Sequence, residues 1–82
     1  MAIIIERIEV TPDVLHGKPH IAGTRVPVDI ILGLLGDGLT PEEIIKQHYP
    51  IITKDDVLAC IRYARQIVVD EEIYLVKVGL ET

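Results

Sequence analysis

Five residues on one stretch have types suited to reading nucleic acid: Thr53, Lys54, Arg62, Tyr63 and Gln66. Arg62, with Arg65 beside it, could bind phosphate or guanine, and Gln66 could read adenine, because a guanidinium or a carboxamide presents paired groups that match those base edges. Lys46 and His48, shortly before, could touch the phosphate backbone. This chemistry has to be set against plainer readings. An amphipathic helix with Arg and Lys outside is usually just a solvated helix. Asp55 and Asp56 near its start repel phosphates. They and the pair Glu42-Glu43 are better explained by the helix N-terminal dipole than by acid–base work. For catalysis the chain offers little, and we expect no enzyme: there is no serine, and Cys60 falls mid-helix with no base placed for it. His16 and His20 are four apart, a metal-binding spacing on a helix, but they lie in a Gly/Pro segment with no further clustered ligand, so neither a metal nor a cofactor is expected. GKPHIAG lacks the phosphate-loop spacing and no helix follows its lysine.

The elements that position these residues can be read from capping and periodicity. Thr53 to Asp70 has the longest helical pattern, with Val57, Ile61, Ala64 and Val68 in an apolar stripe that Leu58 and Ile67 widen. Lys54, Arg62, Tyr63 and Gln66 fall off the stripe and should face outward. Thr53 followed by Asp56 resembles a capping box, with Ile52 and Val57 as its staple. Leu39 to Tyr49 is a second helix, capped by Thr40 with Glu43, started at Pro41 and ended by Pro50. Asp29 to Asp37 is the first helix, apolar nearly all round and so expected to be buried, with Gly33 explained by close approach of another helix. Helix, short turn, longer amphipathic helix is the helix-turn-helix arrangement, in which the second helix of the pair enters the major groove.

Before these helices the chain is extended. Ile3 to Val10 reads as a strand. His16 to Val28 is too rich in Gly and Pro for helix, and forms either a hairpin around Ala22-Gly23 or an irregular arm. After Asp70, the segment Ile73 to Val78 is ambiguous: Leu75 and Val78 continue the helical stripe, whereas its β-branched content favours a short strand that could pair with Ile3 to Ile8. The expected fold is therefore mainly α, one domain: an extended or β arm over residues 1–28, a three-helix helix-turn-helix unit over 29–70, and a tail over 71–82 with a strand as the favoured reading.

The 82 residues make one small domain, and 49% of them are hydrophobic with no Trp or Phe, so the core must be aliphatic. That aliphatic excess leads us to expect self-association, a homodimer, or another partner surface. One cysteine, no secretory apolar run and no span of membrane length point to the cytoplasm and away from the membrane. A net charge of −5 argues against nucleic-acid binding by the whole surface, though not by a local basic face. Arg25 could reach a partner's carboxylate or pair internally with Glu42 or Glu43.

The segments GKPHIAGTRVPV, DGLTPEEII and HYPIITKDDVLACIRYA together resemble the bacterial and archaeal family called domain of unknown function 433, over roughly Ile8 to Ala64. The matching motif positions are Gly17, Lys18, Pro19, Gly23, Thr24, Arg25, Pro27 and Pro50, taken first as fold-defining. The resemblance implies a homeodomain-like helical part behind an extended N-terminal segment. For some members it implies an antitoxin of the VapB type, paired with a PIN-like ribonuclease toxin and with operator DNA. The Ile-rich start and the IYLVKV tail depart from the family pattern, and these are where a partner or second copy would be expected to dock.

Overall fold

The computed structural model describes residues 5–80, with side chains through residue 70. Two short strands, β1 (Ile8–Glu9) and β2 (His20–Ile21), precede three helices: α1 (Val28–Gly36), α2 (Pro41–Gln47) and α3 (Lys54–Leu80). The architecture is mainly α with a small β segment at the N-terminal side.

The Gly/Pro segment is a hairpin. Gly23 sits at φ 77°, a conformation that glycine adopts without cost. Thr24 N–H donates to the Ile21 carbonyl at 3.0 Å, and the Thr24 hydroxyl donates to the same oxygen at 2.7 Å. Val26 N–H in turn donates to Thr24 Oγ1, while Ile21 N–H reaches the Val26 carbonyl and Val28 N–H the Pro19 carbonyl. Thr24 thus satisfies two backbone groups, the Ile21 carbonyl and the Val26 N–H, that the turn would otherwise leave open. The other edge of β2 pairs antiparallel with β1, Ile8 opposite Ile21 and Glu9 opposite His20.

The strand expected over Ile3 to Val10 thus shrinks to two residues. Residues 3 and 4 lie outside the described residues, and Ile5 to Arg7 form a turn closed by Ile8 N–H to the Ile5 carbonyl, with Arg7 at φ 76°.

The core is aliphatic: Ile21, Val26, Val28, Ile31, Ile44, Ile52 and Val57 are buried, with Cys60 among them. Both capping boxes form. Glu43 N–H donates to Thr40 Oγ1 at 3.1 Å and Thr40 N–H to Glu43 Oε1 at 2.8 Å. Asp56 N–H donates to Thr53 Oγ1 at 3.2 Å and Thr53 N–H to Asp56 Oδ2 at 2.9 Å.

Four expectations need correction. First, α3 does not give way to a strand: residues 73–78 continue the helix to Leu80. No Gly or Pro interrupts Thr53 to Val78, and extending an existing helix is far cheaper than starting a new element, so β-branched content does not end it. Second, among the described residues Gly33 has no heavy atom within 4 Å of where a Cβ would stand, so the close helix approach expected there is not what explains it. Third, α1 is buried only at Val28 and Ile31; its N-terminal Ile30 is 42% exposed, because this helix is covered on one side only. Fourth, the buried face of α3 is rotated from the expected stripe: Asp56, Val57, Ala59 and Cys60 are buried and Tyr63 packs against the core, while Ile61 and Val68 are 42% and 61% exposed.

Candidate nucleic-acid interface

Thr53 is exposed and engaged as the cap of α3, and Lys54 follows it with Nζ 3.5 Å from a Glu42 carboxylate oxygen on α2. Arg62 and Arg65 lie two to three turns further on, both exposed. Gln66 is half-buried, and its side-chain amide donates to Asp70 Oδ1 at 3.1 Å. Tyr63 departs from the expected outward face: it is half-buried and packed on the core. Tyr63 is one residue from Arg62, about 100° round the helix, and that rotation carries it to the inner side. The exposed face of α3 therefore presents Lys54, Arg62 and Arg65, with Gln66 at its edge. Lys46 and His48 are exposed at the end of α2.

The acidic start of α3 is counterbalanced from the arm. Arg7 Nη1 donates to Asp56 Oδ1 at 3.2 Å, and its other terminal nitrogen lies 3.8 Å from Asp55 Oδ2. With the helix dipole these contacts hold both carboxylates in place and offset their charge. Sequence reading missed this role for Arg7, and no local signal could have shown it, since the partners are 49 residues apart.

The motif residues divide by exposure. Gly17 (φ 82°), Gly23 and Thr24 shape backbone, and Pro27 stands extended just ahead of the first turn of α1 without a side-chain capping bond. Pro50 is exposed in the α2–α3 turn. His20 is buried; its Nδ1–H donates to the Lys18 carbonyl at 3.1 Å, and Nε2 stands 3.5 Å from Glu9 Oε1. His16 is exposed, so the two histidines do not act together. Among the described residues no group of three or more His, Cys, Asp or Glu side chains gathers as metal ligands would. Arg25 is exposed, and no carboxylate of the described residues lies within 4 Å of it, so the internal pair with Glu42 or Glu43 does not form.

Beside this face runs an apolar groove of about 450 Å³. Pro19, Val28 and Leu32 wall one side and Tyr63, Ala64, Ile67 and Val68 the other, with Lys18 and Asp29 at the margin. Cys60 lies in the core behind α3, where burial first and the Asp56 charge second push its thiol up to about 11 from 9.0. A thiol so held is protonated at neutral pH and is no nucleophile. No described helix is long and apolar enough to cross a membrane.

No curated protein matches the chain. A crystal structure of a DUF433 member from Anabaena variabilis ATCC 29413 is similar at a TM-score of 0.68 and 31% identity, over 83% of this chain and 68% of that one. The family model described as a protein of unknown function, DUF433, matches residues 8–64, from β1 through the groove-lining Ala64, and the chain belongs to that family.

Proposed function

We propose that this chain is the antitoxin-like DNA-binding component of a type II toxin–antitoxin pair, a cytoplasmic autorepressor that also binds a PIN-like ribonuclease. The DNA half rests on one observation: Lys54, Arg62 and Arg65 stand exposed on the second helix of a capped two-helix unit. That is the position from which a helix-turn-helix protein reads the major groove. Arg7 supports it by offsetting the two carboxylates closest to where phosphates would lie. The ribonuclease half rests on the resemblance to VapB-type members and on the apolar groove, which offers a partner chain aliphatic surface. No catalytic role is assigned to any residue.

A gel shift on the DNA upstream of the gene tests the first half. Wild type should bind, and Arg62→Ala and Lys54→Ala should each weaken binding and lower the salt slope by about one. Absence of a shift by the wild type at low salt would remove it. Co-expression with a neighbouring nuclease-like gene tests the second half, a stable co-purifying complex being the expected result. The second reading, a protein-interaction module without DNA binding, is favoured by the net charge of −5 and by the groove. It predicts the complex without the shift.

A further inference from the structure

The turn between α2 and α3 carries an apolar side chain that the fold does not use. The Tyr49 carbonyl accepts the Ile52 N–H at 3.2 Å, closing a β-turn with Pro50 at its second position and Ile51 at its third. Both ends of the turn are anchored: Tyr49 packs against the core and Ile52 is buried. Pro50 fixes its own φ, so the apex is stiff. Ile51 is 72% exposed there, more than any other large apolar side chain of the described residues. A single exposed isoleucine is ordinary on a protein surface. Its place is what sets this one apart. It stands three residues ahead of Lys54, the first residue of α3, with exposed Lys46 and His48 before it and exposed Lys54 after it.

We propose that Ile51 reads thymine, its side chain lying against the 5-methyl group of one thymine in the major groove. This rests on the DNA-binding reading above and assigns a base to it. In a helix-turn-helix unit the N-terminal end of the second helix leads into the groove. The residues that meet base edges first are therefore those at and just before Thr53. An isoleucine has no donor or acceptor, so it cannot sense the hydrogen-bonding pattern of a base pair. The apolar group that a base pair shows in the major groove is the thymine methyl. Against that methyl Ile51 leaves water with nothing left unpaired. Against cytosine it covers an amino group that then lacks its water partner. The turn is already ordered in the free chain, so little entropy is lost in placing the side chain. Lys46, His48 and Lys54 supply charge for the flanking phosphates. Ile51 supplies none, and so adds sequence preference without adding salt dependence.

Fluorescence anisotropy with the full chain tests this, using the upstream duplex and a set in which each thymine in turn is replaced by deoxyuridine. That replacement removes the methyl and keeps every hydrogen-bonding group. Wild type should lose about three- to tenfold in affinity at one such position. Ile51→Ala should bind the unmodified duplex more weakly by the same factor and be indifferent to that replacement, the two losses not adding. Ile51→Val should keep most of the sensitivity. The salt slope of Ile51→Ala should equal that of wild type, whereas Lys54→Ala lowers it by about one. Its melting temperature should be unchanged, since the side chain packs on nothing in the free chain. A wild type that binds the duplex but tolerates every replacement would overturn the assignment and leave the DNA-binding reading standing. So would an Ile51→Ala variant that keeps the sensitivity, or one that loses only a nuclease partner. A wild type that binds no upstream duplex would remove both.

Discussion

The starts of α2 and α3 are near copies in sequence and unlike in setting. Leu39-Thr-Pro-Glu-Glu-Ile-Ile45 and Ile52-Thr-Lys-Asp-Asp-Val-Leu58 place the same staple, the same threonine and an acid three residues on. Both form reciprocal capping hydrogen bonds. Glu43, however, is exposed, and its carboxylate serves only the local turn. Asp56 is 9% exposed, one side-chain atom shorter, and its second oxygen takes the Arg7 guanidinium. Each box uses one carboxylate oxygen, and only at Asp56, which lies against the core, does a residue from the arm take the other. One local motif is therefore a surface cap at α2 and a clasp between arm and helix at α3.

Removing the acids separates the two roles. Asp56→Ala should cost about 2–3 kcal/mol, since it deletes the cap, opens the Thr53 N–H and strands Arg7, whereas Glu43→Ala should cost under about 1 kcal/mol. Urea denaturation of both variants measures the difference, and equal losses would mean that the clasp contributes nothing. Thr53→Ala and Thr40→Ala should instead be alike, near 1 kcal/mol each, because the threonine's part in the two boxes is the same. Arg7→Ala should lose about 0.5–1 kcal/mol, discounted for the exposure of the arginine, and most of that loss should disappear in an Asp56→Ala background in a double-mutant cycle, the longer contact with Asp55 keeping the remainder.

The smallest effect concerns Cys60, whose thiol burial and Asp56 together hold near 11 against an ordinary 9.0. The folded state keeps the proton that the unfolded state loses, so this contribution to stability is full below pH 9 and is lost as pH rises through 11. Asp56→Asn lowers the folded value and narrows that window. Thermal melts from pH 8 to 11, compared with Cys60→Ala, should show the decline flatten in the alanine variant.

Local signals were legible and long-range ones were not. Thr40, Glu43, Thr53 and Asp56 announce their helices because capping is completed within four residues. Gly23 and Thr24 likewise mark the hairpin within one turn. The Arg7 clasp joins residues far apart in sequence and leaves no periodic trace. The buried face of α3 differs from the expected stripe because Ile61 and Val68 share the four-and-three spacing of Val57 and Ala64 yet are 42% and 61% exposed, and apolar spacing alone cannot tell which of two neighbouring faces the fold covers. The tail is no strand because a helix already runs into it, and β-branched residues do not end a helix that only has to be extended. Of the candidate interface, Lys54 and Arg62 are exposed as expected, whereas Tyr63 is not, since it stands on the side where the helix meets the core.

The proposal that α3 docks outward on DNA is tested most directly by amide chemical-shift mapping during titration with the upstream duplex. The account predicts that the largest shifts fall on Thr53, Lys54, Arg62 and Gln66, with smaller ones at Lys46 and His48, and that all of them fade as salt is raised. Shifts confined to the groove lined by Pro19, Leu32 and Ile67, or no shifts at low salt, would contradict it.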